Sequence, residues 1–131
     1  MTHPVIPDHL TDLLERPLIA SLGTTRPDGR VQVQPMWFEF DGTDIRFTHT
    51  TTRIKYRNLM RDPAMTVLVI DPDDTGRYLE VRGRLTEAIP DPTGSYLVHL
   101  AARYGQPGAQ PPADKADRVI LRMTPEHVTH H

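Results

Sequence analysis

The chain has 131 residues and a mass of 14.9 kDa, enough for one hydrophobic core but too little for separate cofactor and substrate domains, so a large ligand has to sit on the surface or between two copies. Fifteen basic against seventeen acidic residues give a net charge of -2 and a pI near 6.4, which supplies no bulk attraction to nucleic acid or an anionic membrane. The absence of cysteine removes disulfide frameworks, thiolate zinc sites and cysteine nucleophiles, and agrees with a reducing compartment. Residues 1–7 hold two prolines and no apolar run; they read as a flexible N-terminus rather than a signal peptide or membrane anchor, and the protein is expected to be soluble and cytoplasmic.

Asp8 is placed to cap a short helix with Leu10, Leu13 and Leu14 on one stripe, and Pro17 ends it. The period then changes to that of strands. Residues 18–24 and 31–40 read as a hairpin around the turn Arg26-Pro27-Asp28-Gly29, and residues 45–49 return after Asp41-Gly42, with Ile45, Phe47 and His49 on one face. Thr51 or Thr52 is placed to cap a helix from Arg53 to about Arg61, which Pro63 stops. Residues 65–70 are apolar on both faces and read as a central strand. Residues 78–89 alternate, with Leu79, Val81, Leu85 and Ile89 on one side and Glu80, Arg82 and Arg84 on the other, as a long half-exposed strand does. Asp91 with Pro92 starts a third helix ending at Gly105, residues 105–116 form a proline-rich loop, and residues 119–123 supply a last strand. His130 and His131 look like a tag remnant and carry no functional reading. Residues 1–131 are thus expected to form a single mainly β domain with helices, whose short turns favour an antiparallel closed or split barrel.

The most informative segment joins Thr50, Thr51 and Thr52 to Arg53, Ile54, Lys55, Arg57 and Arg61. A helix N-terminus already carries partial positive charge, so cations in its first turn are unfavourable by about 0.3–1 kcal/mol each unless an anion is present. A phosphate would reconcile the two, held by backbone N–H groups, threonine hydroxyls, Arg53 and Lys55. The plainer alternative is a solvated basic face paired with nearby acids. A second feature is the stretch Pro35-Met36-Trp37-Phe38. The apolar parity set by Val31 and Val33 passes there to Met36, Phe38 and Phe40, as a bulge near Pro35 or a crossing at a barrel corner would produce, leaving main-chain groups free to face a planar ring. Arg77 and Tyr78 form a third candidate contact, although an aromatic at a strand start more often packs across strands. His49 reads as a satisfied core or interface histidine, and neither a metal site nor a catalytic residue is identified.

Taken in order, Glu15-Arg16-Pro17, Arg26-Pro27-Asp28-Gly29, Pro35-Met36-Trp37-Phe38, the run from Arg53 through Asn58 to Leu59, Arg61-Asp62-Pro63, Arg77-Tyr78-Leu79-Glu80-Val81 and Met123-Thr124-Pro125-Glu126 resemble the pyridoxamine 5'-phosphate oxidase-like split-barrel family. More narrowly, they resemble its actinobacterial group that uses the deazaflavin coenzyme F420. The resemblance implies a homodimer of six-stranded split barrels with cofactor sites between the subunits. Thr48, Thr50, Thr51, Thr52, Arg53, Ile54, Lys55 and Asn58 would surround the cofactor phosphate, Pro35 to Phe38 would lie along the ring, and Arg77 and Tyr78 would approach from the other subunit. It further implies hydride transfer to a conjugated, electron-poor small molecule such as a biliverdin-like tetrapyrrole, quinone or enone. The cofactor would do the chemistry while the protein orients it. The alternatives within the same fold are an FMN-dependent oxidase or reductase and a non-catalytic module that binds flavin, haem or fatty acid. Neither nucleic acid nor a membrane is expected as a partner.

Overall fold

At the turn Arg26-Pro27-Asp28-Gly29, Gly29 adopts φ +85° and donates its N–H to the Arg26 carbonyl at 3.0 Å, while Asp28 accepts the Arg30 N–H at 3.0 Å. A glycine is needed where φ is positive, and this closure sets β1 (Ala20–Thr25) against β2 (Val31–Met36) as an antiparallel hairpin. β3 (Glu39–Phe40), β4 (Ile45–Thr50), β5 (Ala64–Ile70), β6 (Tyr78–Pro90) and β7 (Arg118–His130) complete one antiparallel sheet in the order β2-β1-β5-β6-β7-β4-β3. Among the described residues three α-helices accompany it: α1 (Asp12–Glu15), α2 (Ile54–Arg61) and α3 (Ser95–Arg103). The computed structural model describes residues 2–131, and Met1 lies outside them.

The two outermost strands, β2 and β3, are separated in the chain only by Trp37 and Phe38. Two residues reach about 7 Å, so the sheet has to curl until its edges lie side by side. The result is a split barrel of the expected class. Its strand count is seven rather than six, because residues 31–40 do not run as one strand but leave one edge of the sheet and join the other. Inward residues fill the interior: Leu22, Phe38, Ile45, Phe47, Met65, Val67, Val69, Leu79, Val81, Leu121 and Met123 are each at most 1 % exposed. Leu59 of α2 and Ile6, Leu10, Leu13 and Leu14 near the N-terminus close over the same core.

Several local expectations are corrected. No bulge occurs at Pro35, since the β1–β2 register runs unbroken from Thr25 opposite Val31 to Ala20 opposite Met36. The parity change arises instead because Val31 and Val33 point outward, 65 % and 61 % exposed, while the crossing after Met36 drops Phe38 into the core. Asp8 does not cap one helix: a 3-10 turn (Asp8–Leu10) follows Pro7, and α1 comes after it. The described N-terminal residues are anchored, with His3 Nδ1 accepting the N–H groups of Val5 and Ile6 and Nε2 bonded to the Thr43 carbonyl at 2.8 Å. α3 begins after the turn 91–94, where Asp91 accepts the Tyr96 N–H at 3.0 Å. The last strand extends to His130, which pairs opposite Leu79, so the residues read as a tag remnant lie in and against the sheet.

The long β6–β7 ladder bends at two register shifts. At the first, Gly83 approaches β7 so closely that a Cβ there would stand 2.0 Å from the Thr124 carbonyl oxygen. No helix among the described residues is long and apolar enough to cross a membrane.

Candidate functional site

α2 lies against the inward face of β2, and the contacts between them are polar. Gln32 and Gln34 point toward the helix from the face opposite Val31 and Val33. Asn58, 1 % exposed, donates to Thr24 Oγ1 and to Gln32 Oε1, both at 3.2 Å, and accepts from Arg61 Nη2 at 3.3 Å. Arg61 also donates to the Thr25 carbonyl. These bonds fix α2 to the first hairpin and use both ends of the Asn58 amide, so this residue sets the helix in place rather than presenting a free group.

The start of α2 differs from expectation. The helix is preceded by Arg53 in extended conformation with no side-chain cap. The threonines bond among themselves: Thr50 Oγ1 accepts the Thr52 N–H at 3.2 Å and lies 2.7 Å from Thr52 Oγ1, while the Thr51 N–H reaches the Asp117 carbonyl at 3.1 Å. The first-turn N–H groups of α2 therefore keep the unsatisfied, positive end of a helix.

Lys55 folds inward from this end. It is 8 % exposed and its Nζ donates to Gln34 Oε1. Burial, with Arg53 adding repulsion, lowers the pKa of its ammonium. Arg53, Ile54, Lys55, Gln32, Gln34 and His49 together line a cleft of ≈ 140 Å³. Among the described residues, neither Arg53 nor Lys55 has a carboxylate within 4.0 Å, and the same holds for Arg57 and Arg61. Pairing with acids therefore does not account for these cations, while Arg53, Arg57 and Arg61 are exposed, as a solvated basic face also has them.

His49 is the group that sequence reasoning undervalued. It is buried on β4, but among the described residues its Nε2 has no hydrogen-bond partner, so of the two readings, core or interface, the satisfied core histidine does not hold within one chain. Desolvation lowers its pKa from the ordinary 6.5 to about 4, with Lys55, Arg118 and Arg53 adding repulsion. Its neighbour Thr48 is also buried, with an unpartnered Oγ1. A signal for the glutamines was present in the alternation of Gln32 and Gln34 with valines, which marks a polar face on a strand that abuts a helix. Nothing in the sequence foretold the lack of a partner for His49.

Beyond Gln34, the residues Pro35, Met36 and Trp37 line a hollow of ≈ 210 Å³ with Ile19. Trp37 is stacked on Tyr104 of the segment ending α3, ring centroids 5.0 Å apart and 9° from parallel. Phe38 is not beside them: it is buried in the core, its N–H bonded to Tyr104 Oη at 3.0 Å and its carbonyl accepting from Arg103 Nε at 2.9 Å. Arg103 further donates to the carbonyls of Leu14, Glu15 and Arg16, so one guanidinium caps α1 and holds the crossing.

Arg77 and Tyr78 do not join this cleft within one chain. Arg77 bonds Asp12, Asp71 and the His9 carbonyl, and lines a separate depression of ≈ 380 Å³ with His9, Leu10, Asp74, Gly76 and His131. Tyr78 is half-buried and stacks on His131.

Residues 6–131 match the family described as pyridoxamine 5'-phosphate oxidase. Among solved structures, the chain is 52 % identical to an F420 reductase, with a TM-score of 0.92 over 95 % of this chain and 98 % of that one. It shares its fold, at 23 % identity and a TM-score of 0.74, with a conserved hypothetical protein of Mycobacterium tuberculosis, over 99 % of this chain and 89 % of that one. The General Stress Protein 26 of Bacillus anthracis matches at 17 % identity and a TM-score of 0.70, over 92 % and 89 % of the two chains. With the match spanning nearly the whole sequence and the barrel agreeing with it, the chain belongs to the pyridoxamine 5'-phosphate oxidase family.

Proposed function

We propose that this protein is a cytoplasmic oxidoreductase that uses the deazaflavin coenzyme F420, working as a homodimer. The observation that carries the reading is the cleft at the start of α2, where Arg53 and Lys55 have no acidic partner and a buried histidine nitrogen has no hydrogen bond. That donor set fits the phosphate group of a nucleotide-like cofactor. The choice of F420 over FMN rests on the F420 reductase that is 52 % identical to this chain.

In this reading Arg53, Lys55 and the first N–H groups of α2, with Thr48, Thr50, Thr51, Thr52 and Ile54 around them, hold the phosphate, and Asn58 keeps the helix at its distance from β2. Pro35, Met36 and Trp37 lie beside the ring system, with Phe38 anchoring the crossing behind them. F420 when bound supplies the hydride; the chain orients the ring and excludes water from one of its faces. The hollow beside Trp37 is open and lined by apolar atoms, which suits a conjugated, electron-poor acceptor such as a biliverdin-like tetrapyrrole, a quinone or an enone. The outward Val31 and Val33, with Ile70 44 % exposed on the same sheet, offer an apolar face for a second copy, which would bring its own Arg77 and Tyr78 toward the cofactor.

The test is a titration of the purified protein with F420 and with FMN. Micromolar or tighter F420 binding with quenching of the deazaflavin fluorescence, followed by oxidation of the reduced cofactor by an acceptor in a screen of quinones, enones and tetrapyrroles, is the expected outcome. Preferential FMN binding with no response to F420 overturns the cofactor assignment. F420 binding without turnover by any acceptor overturns the enzymatic one.

A further inference from the structure

We infer that the cleft at the start of α2 binds its anion together with a proton, which His49 takes up from solvent. The inference rests on the reading above, that this cleft holds the cofactor's phosphate. His49 projects from β4 into the cleft beside Gln32 and Gln34 of β2, Arg53 just before α2, and Ile54 and Lys55 of α2. The charged groups acting on its ring are Lys55 from α2, Arg53 just before α2, Arg118 from β7, and Asp114 from the segment before β7. Asp114 is already paired, its Oδ1 lying 3.1 Å from Arg118 Nε. Three cations thus stand against one committed carboxylate around a buried imidazole whose Nε2 has no partner.

While the cleft holds no anion, a fourth positive charge there is opposed both by desolvation and by its neighbours, and the ring stays neutral. An oxyanion between Arg53 and Lys55 reverses the sign of the local field and supplies an acceptor for an imidazolium N–H. The charged ring then becomes the favoured state. Binding and protonation are linked in both directions: the anion raises the pKa of His49, and lowering the pH tightens the anion. The gain begins as pH falls through the pKa of the liganded form and levels off below that of the free form, near 4. Each unit by which the anion raises the pKa is worth a tenfold gain in affinity between those limits.

Sulfate is the probe of choice, because it stays fully ionised from neutral pH down to the range in which His49 titrates. The His49 ring resonances of the intact protein are followed by NMR from pH 8 to 5, in low-salt buffer and in saturating sulfate. The expected result is a ring that stays neutral throughout without sulfate and titrates with a midpoint above 5 in its presence, with sulfate at least threefold tighter at pH 5.5 than at pH 7.5. In His49→Gln that pH dependence is lost. Sulfate binding with an unmoved ring, or no sulfate-dependent shift of His49, Lys55 or Arg53, overturns the inference. F420 affinity is measured separately by fluorescence at pH 7.5. F420 binding with an unresponsive His49 defeats the proton linkage alone, whereas a sulfate response without F420 binding upholds the linkage and defeats the cofactor assignment.

Discussion

Trp37 and Tyr104 lie face to face, ring centroids 5.0 Å apart, and the Tyr104 hydroxyl donates to the Leu18 carbonyl at 2.7 Å while accepting the Phe38 N–H at 3.0 Å. One tyrosine at the end of α3 thereby holds the chain where it leaves one edge of the barrel and enters the other.

Tyr104→Phe keeps the stacking and removes the hydroxyl, leaving a main-chain donor and an acceptor short of partners. A loss of about 1–3 kcal/mol in denaturant unfolding is expected. Tyr104→Ala also uncovers Trp37, and because this is the single tryptophan, its emission should shift to longer wavelength in the alanine variant and not in the phenylalanine one.

Lys55→Ala should weaken cofactor binding by about 1.5–3 kcal/mol, on the order of 10- to 150-fold in Kd, as loss of a charge-assisted hydrogen bond does. Stability should change little or rise, since burial works against the charged form of Lys55 and, among the described residues, its only partner is the side chain of Gln34. Fluorescence titration and thermal melts on the same preparation separate the two effects. Unchanged affinity would place the phosphate elsewhere.

Gly83→Ala and Gly23→Ala make a matched pair. At Gly83 the new methyl meets the Thr124 carbonyl oxygen at 2.0 Å, a contact with backbone that only movement of β6 from β7 relieves. At Gly23 the nearest atom is Val31 Cγ1 at 3.4 Å, the tip of an exposed side chain. The first should cost about 3 kcal/mol or more and the second less than about 1 kcal/mol, read as shifts in the urea midpoint.

Acid should weaken the fold in two stages. His49 takes up its proton near 6.5 when unfolded and near 4 when folded, so the unfolded chain binds more protons between those values and stability falls as pH drops across that window. The expected loss is about 3 kcal/mol at 1.36 kcal/mol per unit, and His49→Gln should flatten it. The carboxyl of Asp12 is held below its ordinary 3.8 chiefly by the hydrogen bond from Arg77, and its contribution disappears only at lower pH, as the folded state itself is protonated. Unfolding curves at a series of pH values resolve the two limbs.

Much of the barrel was legible from local chemistry. The turn closed by Gly29, the burial of Met65, Val67 and Val69 in the central β5, and the helix stop at Gly105, whose φ is +84°, each follow from a few adjacent residues. The extent of β7 was hidden, because Thr124, Pro125, Glu126 and His127 break the apolar alternation while the pairing that holds them comes from β6. The same distinction runs through the candidate site. The cations of α2 stand out as charges at a helix start, but the inward turn of Gln32 and Gln34 depends on where α2 docks. The missing partner of His49 depends on how β2 and the segment 114–118, both distant in sequence, meet the start of α2. Arg77 reads as available in the sequence and is engaged in the fold, since Asp12 reaches it across a tertiary contact and Asp71 across the loop between β5 and β6.

The Asn58 amide, bonded on both sides to Thr24, Gln32 and Arg61, gives the cation cleft a thermodynamic character of its own. With the helix tied to the first hairpin, Lys55 stays buried beside Arg53, and the desolvation and repulsion acting on its ammonium persist in the ligand-free fold. Filling the cleft with an anion offsets them. An anion should therefore raise the melting temperature, and Asn58→Ala should let the helix start move off β2 and rehydrate Lys55, shrinking the ligand-induced rise along with the intrinsic stability.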